Sequence, residues 1–104
     1  MLNRKRTINL ILDYIRHCKK RNIQIKKVIL FGSYANGKAD EYSDIDIVLV
    51  SDQFTDNSYF NWKMLVPVNV KFVDIEPHPF SSSYFRKGDP FIDEIKKTGI
   101  EIKI

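Results

Sequence analysis

Apolar positions repeat along the 104-residue chain with two different periods, one typical of helices and one typical of strands. From residue 4 to about residue 20 they recur at steps of three and four, which predicts an amphipathic helix. The buried stripe of this helix consists of Ile8, Ile11, Leu12, Ile15 and Cys18. Two continuous apolar runs follow at 28–31 and 45–50, and their β-branched residues predict buried strands.

Residues 69–76 alternate between apolar and polar side chains, which predicts a third strand. We expect Pro77 and Pro79 to end that strand, because proline has no backbone N–H to donate. The preceding stretch, 51–67, has no clean period, although 57–65 is compatible with a short helix. This stretch gives the weakest indication of secondary structure in the sequence.

The C-terminal segment contains stronger local signals. Asp89 followed by Pro90 predicts a helix start, with aspartate as N-cap and proline at the first helical position. Gly99 is expected to end that helix. Residues 81–84 predict a short helical turn, and the alternating isoleucines of 100–104 predict a short edge strand or a docking tail.

These elements predict an α/β protein with a single small domain over residues 1–104, in which helices flank a short mixed sheet. The composition is 43% hydrophobic, which is enough for a modest core. No apolar run approaches the roughly 18 residues of a membrane span. The one cysteine, Cys18, cannot form an internal disulfide, which favours a reducing cytoplasm.

The positive charge is concentrated at the N-terminal end. The formal net charge is +4, and nine of the 17 basic residues precede Val28. A basic face can attract nucleic acid, nucleotides or an acidic partner. An ordinary solvated helix face explains the same pattern more simply, since the segment lacks the basic–aromatic alternation of a base-stacking surface. Direct binding of nucleic acid is therefore the weaker hypothesis.

The chemistry of the chain is concentrated between the two predicted strands. Gly32-Ser33 ends the first strand, and glycine there permits a sharp turn or close approach to a ligand. Asp44 and Asp46 lie two residues apart at the start of the second strand, so both carboxylates face the same side. Paired carboxylates suit Mg²⁺, and a Gly-Ser turn offers phosphate-binding groups.

Either feature alone is common, but the combination resembles a known family. Gly32-Ser33, followed by Gly37, Ala39 and the run Ser43-Asp44-Ile45-Asp46, resembles the signature of the minimal nucleotidyltransferases. These are small members of the DNA polymerase β-like nucleotidyltransferase superfamily. The resemblance is strongest over residues 31–50. The chain departs from the family at Asn36, where an arginine is frequent, and Lys38 is close enough to replace that positive charge.

The resemblance implies a site and a reaction. Asp44, Asp46 and Asp74 would hold two Mg²⁺ ions, while Gly32, Ser33 and Lys38 would bind the phosphates of a nucleoside triphosphate. Asp74 lies where the family's third carboxylate is expected, and Glu76 is the rival on the same predicted face. A nucleoside monophosphate would then be transferred from the triphosphate to an acceptor hydroxyl. ATP is the favoured hypothesis for the triphosphate.

The resemblance also implies a partner, because nothing in the sequence predicts an acceptor site. Minimal nucleotidyltransferases are often paired with small helical HEPN-domain proteins in toxin–antitoxin modules, where the nucleotidyltransferase is the antitoxin and can adenylylate its partner. The competing hypothesis is a non-catalytic module that binds a nucleotide or neutralises such a partner by complex formation.

Overall fold

The structure is a computed structural model that describes residues 2–104, and its centre is a four-stranded mixed sheet between two layers of helices. The elements in chain order are α1 (Arg4–Lys20), β1 (Lys27–Phe31), α2 (Ser33–Asn36), β2 (Ile45–Ser51), α3 (Ser58–Asn69), β3 (Ile75–Ser81), α4 (Ser82–Lys87), α5 (Pro90–Thr98) and β4 (Ile100–Ile102). Within the described residues no helix has the length and apolarity needed to cross a membrane.

The strand order across the sheet is β3-β2-β1-β4. β1 pairs antiparallel with both β2 and β4, whereas β2 and β3 run parallel. A parallel pair needs a crossover connection, and α3 supplies it. As a result the N-terminal ends of β2 and β3 lie beside the C-terminal end of β1, where the chain turns at Gly32.

Alternating strand residues build a separate core on each face of the sheet. Ile45, Ile47 and Leu49 of β2 belong to the larger cluster, which also contains residues of α1 and α3. Val48 and Val50 point the other way and pack with residues of α5 and with Phe85 of α4. The predicted inward orientation of Ile45 and Ile47 is therefore confirmed.

Helix α1 has the predicted bounds, and Asn3 caps its start by accepting a hydrogen bond from the Arg6 N–H. Its most buried positions are Thr7, Ile11, Tyr14 and Cys18, spaced three or four residues apart. Three members of the predicted stripe, Ile8, Leu12 and Ile15, are partly buried against the same core. The stripe is thus centred slightly differently from the prediction, because Tyr14 and Thr7 take interior positions.

The third predicted strand is wrong in its position. β3 begins at Ile75 and continues to Ser81, through both prolines that were expected to end it. β3 is an edge strand that pairs only with β2. Alternate residues of a strand direct their N–H groups to the same side, so two prolines spaced two apart can both occupy positions facing away from the partner.

Five other elements also bear on the sequence predictions. Helix α3 runs to Asn69 rather than ending near residue 65, and it contains Pro67. The polar segment after Gly32 contains the short helix α2, which the sequence analysis did not predict. The start of α5 at Asp89-Pro90, its end at Gly99, the helical turn after Ser81 and the edge strand β4 are all confirmed.

Candidate active site

Gly32 brings the backbone against the side chain of Asp46. Its φ of 74° and ψ of −155° lie in a region essentially restricted to glycine. A Cβ atom built on Gly32 would lie 2.7 Å from Asp46 Oδ2. The residue therefore makes the sharp turn that the sequence predicted, and it also allows the Asp46 carboxylate to approach the backbone closely.

Two carboxylates meet on neighbouring strands beside this turn. Asp46 is opposite Phe31 of β1 on one side and opposite Glu76 of β3 on the other. Because paired residues of adjacent strands share a face, the Asp46 and Glu76 side chains project together. Glu76 is exposed and Asp46 is partly exposed, so solvent reaches the pair.

His78 completes a cluster with these two acids. One ligand atom each from Asp46, Glu76 and His78 lies within 4.8 Å of the others. His78 Nε2 is 3.5 Å from Asp46 Oδ1, and the nitrogen is buried without a hydrogen-bond partner. The sequence analysis did not identify His78 as a site residue, because its neighbourhood depends on the register between β2 and β3.

Asp44 and Asp74 lie at the edge of this cluster. Asp44 immediately precedes β2 and is exposed, and it lines the same cavity as Glu76. Asp74 is an exposed residue of the turn before β3, and its carbonyl oxygen accepts a hydrogen bond from the Ile45 N–H at 2.8 Å. The structure therefore groups Glu76 rather than Asp74 with Asp46.

The loop between β1 and β2 is held by its own hydrogen bonds. The Lys38 N–H donates to Asn36 Oδ1 at 3.0 Å and to the Ser33 carbonyl at 3.1 Å. Asn36 thus stabilises the turn at the position where an arginine was expected, and the Lys38 side chain is exposed beside it. Further along, the Ser43 hydroxyl bonds Asp40 and fixes the approach to Asp44.

A cavity of about 580 Å³ opens between α3 and the start of β3. Asp44 and Glu76 lie in its wall together with Trp62 of α3 and Val73 of the turn before β3. Trp62 is 55% exposed and Val73 is 82% exposed, so the apolar wall faces solvent. The wall of the cavity therefore combines acidic side chains with aromatic and aliphatic ones.

The acidic cluster fits a divalent cation. Carboxylate oxygens are the ligands that Mg²⁺ and Mn²⁺ prefer, and Asp46 and Glu76 bring them together at a solvent-facing strand end. The close contact between Gly32 and Asp46 Oδ2 also brings the backbone of the turn next to this carboxylate. The arrangement suits a cation that shares its ligands with a phosphate group.

Comparison with known proteins shows a family match over most of the chain. The family model described as "Nucleotidyltransferase domain" matches residues 12–103. A Methanocaldococcus jannaschii protein named as a protein adenylyltransferase is 29% identical over 73 residues, covering 69% of this chain and 50% of that protein. The chain thus spans about half the length of this curated relative.

Solved structures share the fold. A Sulfolobus solfataricus protein described as a nucleotidyltransferase superposes with a TM-score of 0.68 at 17% identity, covering 92% of this chain and 78% of that chain. The Shewanella oneidensis complex of a tri-AMPylated HEPN toxin with an MNT antitoxin gives a TM-score of 0.53 at 17% identity. The match covers 95% of this chain and 71% of the chain in that complex. These likenesses confirm the predicted α/β fold.

Proposed function

The chain belongs to the nucleotidyltransferase domain family, and on this premise we propose that it transfers AMP from ATP to a hydroxyl group on a partner protein. The observation that carries the proposal is the meeting of the Asp46 and Glu76 carboxylates beside the Gly32 turn. It brings together a cation site and a phosphate-binding turn, which are the two components that nucleotidyl transfer requires.

Asp44, Asp46 and a third carboxylate would hold the Mg²⁺ ions. When bound, two such cations neutralise the phosphate charge and stabilise the entering and leaving oxygens. We assign the third position to Glu76 rather than to Asp74. Glu76 is paired with Asp46 across the strands, whereas Asp74 lies in the turn two residues earlier, outside the cluster.

The phosphates would bind at the turn after β1. Gly32 and Ser33 would supply backbone N–H groups and a hydroxyl there, because glycine leaves no side chain between the backbone and a ligand. The Lys38 ammonium is on the same loop and would add positive charge. This places the β- and γ-phosphates on the β1 side of the carboxylates.

The direction of attack follows from that placement. In an in-line displacement the attacking and leaving oxygens lie on opposite sides of the α-phosphorus. The acceptor oxygen forms a bond to that phosphorus, the bond to the β-phosphate oxygen breaks, and pyrophosphate leaves toward Gly32. The hydroxyl proton passes to the third carboxylate, Glu76. The acceptor therefore enters from the β3 side, where the cavity lined by Trp62 opens.

The apolar wall of that cavity favours a protein as the acceptor. Exposed aromatic residues are enriched at protein interfaces, and α3 presents Tyr59, Phe60 and Trp62 to solvent. A solved complex with this fold contains an AMPylated HEPN toxin and an MNT antitoxin. We accordingly propose a HEPN-type protein as the partner, an antitoxin role for this chain and the cytoplasm as the location.

Mass spectrometry of the partner tests the proposal. A HEPN-domain protein from the same genome would be incubated with Mg²⁺, ATP and wild-type chain, or with variants carrying Asp46→Asn, Glu76→Gln or Asp74→Asn. We expect the partner to gain the mass of AMP with wild type and with Asp74→Asn, but not with the other two. Glu94→Gln, an exposed change on α5, is the control and should behave like wild type.

Two other outcomes have defined meanings. Loss of transfer with Asp74→Asn and its retention with Glu76→Gln would reverse the assignment of the third carboxylate. A stable complex without added mass, formed equally by wild type and by Asp46→Asn, would contradict the enzymatic proposal. That result would support neutralisation by binding alone, which the exposed aromatic residues of α3 also favour.

A further inference from the structure

His78 occupies a position that neither the predicted motif nor the proposed reaction uses. It lies on β3 two residues beyond Glu76, so both side chains project from the same face. Its Nε2 atom is buried, has no hydrogen-bond partner among residues 2–104 and is 3.5 Å from Asp46 Oδ1. A buried polar atom without a partner is uncommon in folded proteins and calls for an explanation.

Aromatic side chains hold the imidazole in place. The Phe31 ring meets it edge to face, with ring centroids 5.0 Å apart. Phe91 of α5 lies on another side, with its centroid 6.2 Å away, and Phe31 and Phe91 also pack against each other. The ring is therefore supported from β1 and from α5, and these contacts aim Nε2 at Asp46.

Each oxygen of the Asp46 carboxylate therefore has a close neighbour. Oδ2 lies against the Gly32 backbone, where a Cβ atom would be 2.7 Å away, and Oδ1 faces His78 Nε2. We propose that His78 is a positioning residue that donates its Nε2–H to Asp46 and fixes the orientation in which this carboxylate binds a cation. The inference rests on the proposed function, because it requires Asp46 to be a ligand.

Burial separates this role from direct ligation by His78. Solvent reaches Glu76 and part of Asp46, whereas His78 Nε2 is covered. The His78 side chain as a whole is 32% exposed, but a cation that arrives from solvent meets the exposed Glu76 carboxylate before the buried Nε2 atom. Groups that hydrogen-bond a ligating carboxylate in this way tune the affinity of the metal site, and their loss weakens binding about 10- to 100-fold.

Mn²⁺ titration followed by electron paramagnetic resonance tests the role without relying on turnover. The whole chain would be titrated with a non-hydrolysable ATP analogue present, as wild type, His78→Leu and His78→Gln. We expect His78→Leu to weaken Mn²⁺ binding about 10- to 100-fold. His78→Gln retains an N–H donor and should recover much of the affinity. His17→Leu changes the other histidine of the chain and should bind like wild type.

Thermal unfolding of the same variants separates positioning from a general structural effect. The expected pattern is similar melting temperatures with different Mn²⁺ affinities. Where His78→Leu does not fold, Phe91→Ala replaces it, because Phe91 is 41% exposed and its loss removes one support of the ring while the imidazole itself stays. We expect Phe91→Ala to weaken Mn²⁺ binding by a smaller factor than removal of the imidazole.

Four results would overturn the inference. Equal Mn²⁺ affinity in wild type and His78→Leu would contradict the positioning role of His78. Equal weakening of Mn²⁺ binding in His78→Leu and His78→Gln would contradict it as well. A loss of Co²⁺ affinity with unchanged Mn²⁺ affinity would identify His78 as a direct ligand instead, since imidazole favours the later transition metals. Absence of Mn²⁺ binding by wild type would refute the cation site itself, and thereby the proposed function as well.

Discussion

At the scale of single residues, Gly32 shows how closely the backbone and the chemistry of this site are connected. Its backbone conformation is one that residues with a Cβ atom rarely adopt, and the space a Cβ would take is filled by Asp46 Oδ2. Two separate requirements, one conformational and one steric, thus apply to one position. A substitution there should affect both the fold and the carboxylate.

The replacement Gly32→Ala is expected to lower the free energy of unfolding by about 1–3 kcal/mol, the usual strain at such a backbone position. It should also weaken Mn²⁺ binding, because the new methyl group displaces Asp46. Denaturant unfolding and Mn²⁺ titration measure the two effects. Gly37→Ala is the matched control, since Gly37 also has a positive φ, of 81°, but its Cβ would meet nothing within 4 Å. If both variants lost Mn²⁺ affinity equally, the steric argument would fail.

Sequence reasoning predicted the part of the candidate site that is local in the chain. Strand alternation predicts that Asp44 and Asp46 share a face, and the Gly-Ser pair predicts a turn. The choice between Asp74 and Glu76 depended on where β3 begins, which the local pattern misjudged. His78 was missed because its proximity to Asp46 arises from pairing between two strands that are separated by the whole of α3.

At the scale of elements, β3 shows why the pattern failed. Residues 69–76 alternate like a strand, but Asn69 belongs to α3 and 71–74 form a turn. The true strand contains two prolines, which normally argue against a strand. Only the strand order reveals that β3 is an edge, where proline is tolerated.

Helix α3 was difficult to predict for a different reason. Its buried side chains, Asn61, Leu65 and Val68, follow helical spacing. Its exposed face carries Tyr59, Phe60 and Trp62, so apolar residues occur on both sides and the amphipathic pattern disappears. Exposed aromatic side chains beside a cavity are more typical of a binding surface than of a helix whose side chains serve folding alone.

The buried face of α1 leads to a prediction about alkaline pH. Burial raises the pKa of the Cys18 thiol to about 12 from a usual 9.0. Burial, together with Cys18, also raises the pKa of Tyr14, whose hydroxyl donates to Asn69 Oδ1 at 2.5 Å. Above pH 9 the unfolded chain therefore loses protons that the folded chain retains, and stability falls as the pH rises toward 12.

Melting temperatures measured from about pH 8 to about pH 11 test this prediction. Each retained proton contributes a slope of up to about 1.4 kcal/mol per pH unit. Cys18→Ala removes one of the two groups, so its melting temperature should fall less steeply with pH than that of wild type. Parallel pH profiles for the two proteins would show that the thiol does not contribute.

At the scale of the whole molecule, the strand order separates the two ends of the proposed reaction. The turn proposed to bind phosphates follows β1, the Asp46 and Glu76 carboxylates lie on β2 and β3, and the cavity lined by Trp62 opens between α3 and the start of β3. Adjacent strands are about 4.8 Å apart, so roughly 10 Å separates β1 from β3. In the proposed reaction the leaving group and the acceptor would thus have separate routes to the carboxylates.

This separation predicts that acceptor and nucleotide binding can be uncoupled by one substitution. Trp62→Ala should lower kcat/KM for the partner protein about tenfold or more, as loss of a central interface tryptophan commonly does. The affinity for the ATP analogue and Mn²⁺ should stay unchanged, because Trp62 lies on the acceptor side. Phe60→Ala is the control, since Phe60 is 50% exposed on the same helix but does not line the cavity. Equal losses in both variants would indicate a diffuse contact with α3, and weakened nucleotide binding in Trp62→Ala would place the nucleotide, instead of the acceptor, in the cavity.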